Sequence, residues 1–345
     1  MHDIITIDMN EKEIFKEYKE LFKEQDFKDA IGEKRVCLFL GSGVGFNIGM
    51  PDWKGLADKI VRFALAEKAI TRSEKLNLLN NNYSPIKIIS VCINKLETKG
   101  LQDKLNCEFK NIFFDTPKQE YQTSKIYKSL NSLYTSGSTL IVQTNYDVMI
   151  EKYQLAEEET SEKSFIPFKS ISIPNPNELL QKVVYLHGRF DYSSSEVSTY
   201  KDLVLTKTNY NEVYVIKNDP KCINQKNFIE YLMKNFYIIF LGYSLSDIEL
   251  LQLIVNKPKT ESYKDIAVIV DNCRAKQIDN EINSGYLLEA SNNKVKTYYY
   301  DTEILGIKKG FENMVIELEL EIVNYLKDSI PITKYINPQE VDFGS

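Results

Sequence analysis

The chain has 345 residues, of which 43% are hydrophobic and 27% charged, proportions that suit a soluble globular protein and argue against long disorder. With 43 basic and 49 acidic residues the net charge is −6, and only five of the basic residues are arginine, so the basic stripe of a nucleic-acid binder is missing. The longest apolar runs, such as Phe236 to Leu241, fall far below the roughly 20 residues of a membrane span. Met1 to Asn10 shows no basic start followed by an apolar stretch, so no secretory signal is expected and the cytoplasm is the expected compartment.

In chain order, Glu11 to Ala30 reads as an amphipathic helix with Ile14, Phe15, Tyr18, Leu21 and Phe22 on one face. Val36 to Leu40 is a continuous apolar run ending in glycine, the pattern of a buried parallel strand. Helical periodicity then runs from Lys54 to Asn82 and from Ser84 to Leu133. Thr139 to Val142 and Val183 to Leu186 are further buried strands. Asp202 to Leu205 is expected as a short strand, followed by a helix that Thr206 caps and that runs to Val215. Phe236 to Leu241 is a strand, after which Ser246 and Glu249 form a capping box. Ile266 to Val270 and Val295 to Tyr300 close the strand series, and Phe311 to Leu326 is a final helix. Strands alternating with helices imply an α/β fold: a doubly wound, Rossmann-like parallel sheet. The expected organisation is an N-terminal helix (1–30), one α/β domain (31–328) with a mainly helical insertion at about 55–135, and a C-terminal tail (329–345).

Cysteine and histidine are scarce. The five cysteines, Cys37, Cys92, Cys107, Cys222 and Cys273, contain no close pair, so they read as free thiols and no metal site is expected. Of the two histidines, His2 sits near the chain start, which leaves His187 for acid–base chemistry near neutral pH. Five of the 14 glycines fall between Gly41 and Gly55. Clustering so costly a residue implies a backbone geometry that needs it.

Ligands of open α/β sheets bind at the carboxyl ends of the strands. Four such ends carry unusual residues: Gly41-Ser-Gly43, Asn145-Tyr-Asp147, His187-Gly188 and Gly242-Tyr-Ser244. Each alone has a structural reading. The glycine loop can be a tight packing turn rather than a phosphate cradle, since both the dinucleotide fingerprint and the Walker loop fail here. Asn145 can be a helix cap, His187 a core histidine, and Gly242 with Ser244 a turn.

Together, the four elements resemble the sirtuins. Gly41-Ser-Gly-Val-Gly-Phe-Asn-Ile-Gly-Met-Pro-Asp-Trp-Lys54 is similar to the sirtuin cofactor loop, Gln143-Thr-Asn-Tyr-Asp147 to its TQNID element, His187-Gly188 to its catalytic HG, and Gly242-Tyr-Ser-Leu245 to its GTSL. The resemblance spans residues 31 to 303. It departs from the deacylases in the interval between His187 and Gly242, which holds Cys222 alone where they carry a four-cysteine zinc ribbon. Trp53 and the Thr-Asn-Tyr-Asp run point the same way, toward the bacterial sirtuin-like antiphage effectors that hydrolyse NAD+.

The resemblance implies that NAD+ is the substrate, cleaved at the nicotinamide–ribose bond. Asp147 would anchor the carboxamide, Asn145 would hold the ribose and the attacking water, and His187 would be a base near neutrality. The cofactor contacts would come from Gly41, Ser42, Gly43, Val44, Pro51, Asp52, Trp53, Thr144, Gly242, Tyr243, Ser244 and Asp271. Backbone N–H groups of the Gly41–Gly45 loop would face the pyrophosphate, and Asp271 the adenosine ribose. A homo-oligomer is expected, controlled by assembly or by a partner such as a HerA-type ATPase or an Argonaute-like sensor. The alternatives are a sirtuin-type protein deacylase and a non-catalytic module binding NAD or ADP-ribose.

Overall fold

The computed structural model describes residues 16–115, 123–150, 183–190, 199–243, 265–271, 295–302 and 306–328. Seven parallel strands form one sheet: β1 (Lys16–Glu17), β2 (Val36–Leu40), β3 (Thr139–Gln143), β4 (Val183–Tyr185), β5 (Tyr237–Leu241), β6 (Ile266–Asp271) and β7 (Val295–Tyr300). Their order across the sheet is β1-β7-β6-β5-β2-β3-β4.

β2, β3 and β5 are buried along their whole length, which is why they read as unbroken apolar runs. Their side chains still alternate between faces. Val36, Leu38 and Leu40 join one core, and Cys37 and Phe39 join the other. The first core is capped by α1 (Gln25–Gly32), α3 (Trp53–Ala66), α5 (Pro85–Thr98), α7 (Lys125–Thr135) and α10 (Gly306–Asp328). The second is capped by α9 (Pro220–Asn235) and the segment leading to it. That segment is α8 (Lys207–Tyr210), capped by Thr206, running into a π-helical turn (Asn211–Val215). Between β2 and β3 the chain also forms α2 (Ser42–Phe46), α4 (Arg72–Asn80) and α6 (Gln102–Lys110), so the interval is helical as its periodicity foretold.

From β2 the chain winds outward to β3 and β4, then returns to lay β5 on the other side of β2. The winding direction therefore reverses between β2 and β5, and the crevice for a ligand opens at that point.

Two sequence expectations are overturned. Glu11 to Ala30 is not one helix. Lys16–Glu17 pairs in parallel with β7, Tyr18–Lys23 is a 3-10 turn, Glu24 is extended, and α1 starts only at Gln25; residues 11–15 lie outside the described residues. The break falls at Glu24, whose carboxylate accepts hydrogen bonds from Lys296 Nζ (2.7 Å), the Tyr298 hydroxyl (2.6 Å) and the Tyr237 hydroxyl (3.3 Å). A continuous helix would need helical dihedrals at Glu24, where φ is −72° and ψ is 129°. Asp202 to Leu205 is not a strand either. Tyr200–Asp202 is a 3-10 turn closed by a Thr199–Asp202 capping box, and Val204 N–H donates to the His187 carbonyl (2.8 Å) across the end of β4. The expected capping box at Ser246 and Glu249 and the tail from Ser329 lie outside the described residues.

Candidate active site

The turns after β2 and β5 interlock. Gly41 N–H donates to the Leu241 carbonyl (2.9 Å), Gly43 N–H to the Gly242 carbonyl (2.8 Å), and Val44 N–H to the Gly41 carbonyl (3.1 Å). A Cβ at Gly41 would stand 2.6 Å from the Gly242 carbonyl oxygen. Gly242 has φ +59°, and a Cβ there would meet the Val44 nitrogen at 2.7 Å. The glycines thus allow two strand ends to touch, the packing role left open for them above. Those three N–H groups donate to the protein's own carbonyls. Val44 is 1% exposed and packs in the first core.

Above this junction lies an open cleft of about 350 Å³. Ser42, Gly43, Asp52, Gly242, Tyr243 and Asp271 all line it, six of the residues expected from sequence. Asp52 also caps α3, accepting from Gly55 N–H (2.7 Å). Lys308 and Tyr300, which the sequence reading missed, line the cleft as well. Ser244 lies outside the described residues. Pro51, Trp53, Thr144, Asn145, Asp147 and His187 are not part of the cleft wall among the described residues.

Those last residues belong to a drier region beside it. The β3 end is tied to the glycine junction. Thr144 N–H donates to the Leu40 carbonyl (3.1 Å) and Asn145 Nδ2 to the Gly41 carbonyl (2.9 Å). Asn145 is therefore not a helix cap. Its NH2 group is committed to Gly41, which leaves Oδ1 as its acceptor. Asp147 Oδ1 accepts from Met149 N–H (3.1 Å) and from the Tyr127 hydroxyl on α7 (3.3 Å). Its Oδ2 is buried with no hydrogen-bond partner among the described residues. Burial pushes the Asp147 carboxyl up to about 6, because no cation offsets the lost hydration.

His187 at the end of β4 is 1% exposed. Its Nε2 lies 2.7 Å from the Tyr214 hydroxyl, and the Tyr210 ring packs against it at 5.3 Å. Burial drives its pKa down to about 3, away from the near-neutral value expected from sequence. Trp53, half-buried, packs edge-on against both Tyr146 (6.2 Å) and Tyr210 (6.3 Å). It thereby links the Asn145–Asp147 segment to the tyrosines over His187. Tyr127, Tyr210 and Tyr214 were not foreseen. Their only sequence signal is an aromatic residue on the apolar face of a helical stretch.

A family model described as a SIR2-like domain matches residues 139–294. Over those residues the chain is similar to a SIR2-like domain. No curated protein matches the chain. The matched span of the SIR2-like domain starts at β3, so it includes Asn145, Asp147, His187, Gly242 and Asp271 and leaves out β2 with the Gly41 turn. In the sheet, β2 nonetheless pairs residue for residue with β3 and β5. A SIR2-like domain points to NAD-related chemistry. Among the described residues, no group of three or more His, Cys, Asp or Glu side chains could hold a metal ion, and no helix is long and apolar enough to cross a membrane.

Proposed function

We propose that the protein is an NAD+ glycohydrolase, splitting the nicotinamide–ribose bond to give nicotinamide and ADP-ribose. The observation that carries this reading is Asp147 Oδ2, which has no hydrogen-bond partner among the described residues and is buried at the carboxyl edge of β3, two residues from an Asn145 amide that grips the Gly41 turn. A buried carboxylate oxygen left without a donor is costly, and a site that receives a carboxamide NH2 explains its retention. The ADP half would lie in the cleft on Ser42, with Asp271 at the ribose, and the nicotinamide end would enter the region around Trp53.

Cleavage passes through an oxocarbenium-like sugar. The bonding pair goes to the pyridinium nitrogen, and water adds to the ribose carbon as it loses a proton. Asn145 Oδ1 can hold that water or a ribose hydroxyl. His187 can take the proton, because burial keeps its imidazole neutral at pH 7. A positioned base contributes about 10²- to 10⁴-fold in rate. At a pKa near 3 the ring is a weak base, so entry of the polar dinucleotide past Tyr210 and Tyr214 must restore some of its basicity. That requirement fits an enzyme held in check: a regulated cytoplasmic effector that depletes NAD+ during phage infection, assembled as a homo-oligomer or released by an ATPase or Argonaute-like partner.

The test follows nicotinamide and ADP-ribose from NAD+, with and without such partners. Wild type should release both, and His187→Ala should be slower by about 10²-fold or more. Equal, slow release by the two proteins under every activating condition overturns the reading. Acetyl-ADP-ribose formed from an acetylated peptide would turn it toward a deacylase.

A further inference from the structure

Charge along the open cleft is lopsided. Asp52 and Asp271 line it, and among its described wall residues Lys308 is the one cation. Lys308 sits near the start of α10, where the helix dipole disfavours a positive side chain. Glu312, one turn further along α10, lies 3.7 Å from Lys125 instead. The Lys308 ammonium stands over the Phe46 ring, 5.0 Å from its centroid. Phe46 closes α2, the short helix that opens on Ser42, and both residues line the cleft. The cleft therefore holds an ammonium that has no carboxylate partner among the described residues, over the same short helix that carries Ser42 and Gly43.

We propose that Lys308 is the residue that binds the pyrophosphate of the dinucleotide, its ammonium neutralising the phosphates as they lie between Ser42 and the ribose at Asp271. Three N–H groups of the Gly41–Val44 turn donate to the protein's own carbonyls, so side chains must meet more of the phosphate charge. With Asp52 and Asp271 alone, the wall would repel an anion; Lys308 reverses that locally. Lysine suits the task as a point charge on a flexible stem, which can leave the Phe46 ring for a phosphate oxygen. Because Lys308 is exposed, solvent and salt limit its effect to affinity. The inference rests on the reading that places the ADP half of NAD+ in this cleft; it does not require that the bound molecule be hydrolysed.

The test measures binding of ADP-ribose and of adenosine to the full chain by calorimetry, at low and at physiological salt. Lys308→Met keeps an unbranched stem beside Phe46 and removes the charge. It should weaken ADP-ribose about 10-fold at low salt, the loss expected for one hydrogen bond to a charged group. Adenosine, which has no phosphate, should bind both proteins alike. Lys308→Arg should restore most of the ADP-ribose affinity. Lys309→Met should leave it as in wild type, since Lys309 lines the adjoining cavity and not the cleft. Added salt should weaken ADP-ribose binding to wild type more than to Lys308→Met. In NAD+ turnover Lys308→Met should raise KM about 10-fold with little change in kcat. Equal ADP-ribose affinity of wild type and Lys308→Met, an equal loss of adenosine, or a wild type that binds neither molecule overturns the proposal. If wild type binds ADP-ribose through Lys308 yet releases no nicotinamide from NAD+ under any condition, the hydrolase reading falls and the assignment of Lys308 stands.

Discussion

The two ends of the sheet treat buried charge in opposite ways. At the amino ends of β5, β6 and β7, the Glu24 carboxylate is surrounded by donors: the Lys296 ammonium and two tyrosine hydroxyls. Lys296 also meets Asp265 at 2.8 Å. Every charge there has an opposite charge beside it. At the carboxyl ends, Asp147 has two neutral donors on one oxygen and, among the described residues, none on the other. Gln225 Oε1 is likewise left over. A satisfied network holds a fold together, whereas an unsatisfied one weakens it and is retained where a ligand completes it. One end of the sheet therefore reads as structure and the other as site, although both are built of carboxylates and tyrosines.

Asp147→Asn bears hardest on the contrast. Its carboxyl sits at about 6 in the folded protein, above the ordinary 3.8. The folded state thus holds its proton more tightly than the unfolded chain, so stability falls as pH rises from about 4 to about 6. Two pKa units correspond to roughly 3 kcal/mol as an upper bound. Asp147→Asn should flatten that part of the Tm–pH curve and slow nicotinamide release by about 10-fold or more, the loss expected for a hydrogen bond to a charged group. An unchanged slope would show that Asp147 already has a cationic partner.

Next in size is Glu24→Gln. It removes the ion pair to Lys296 and weakens two tyrosine hydrogen bonds, and it should cost about 1–3 kcal/mol in denaturant melts. NAD+ turnover by the folded protein should not change. A fall in kcat would mean the two ends are coupled and the contrast false. The smallest effect is expected from Asp271→Asn in the open cleft, where solvent competes for every hydrogen bond. KM for NAD+ should rise by less than about 10-fold with kcat unchanged. A large kcat effect would move the reacting bond into the cleft and away from Asp147.

Much of the fold was legible because it rests on local pattern. β2, β3 and β5 are double-sided apolar runs, and each stops at a small or polar residue where the site begins. The helical insertion, α10 and the Thr206 cap follow from periodicity and side-chain chemistry in the same way. The N-terminal helix was misread because the residue that breaks it, Glu24, is drawn out by partners 213 and 272 positions further along the chain. No window of sequence contains those partners.

The site divides along the same line. Residue identity alone singled out Asn145, Asp147, His187 and the glycine turns, since scarce or costly residues at strand ends stand out. Tertiary contacts decided what each one does. Gly41 and Gly43 serve strand contact, Asn145 turns to a carbonyl 104 residues away, and His187 loses its expected basicity inside a cage of tyrosines. Hydration and hydrogen bonding set the charge state of a side chain, and both are properties of the surroundings that the folded chain assembles from distant segments.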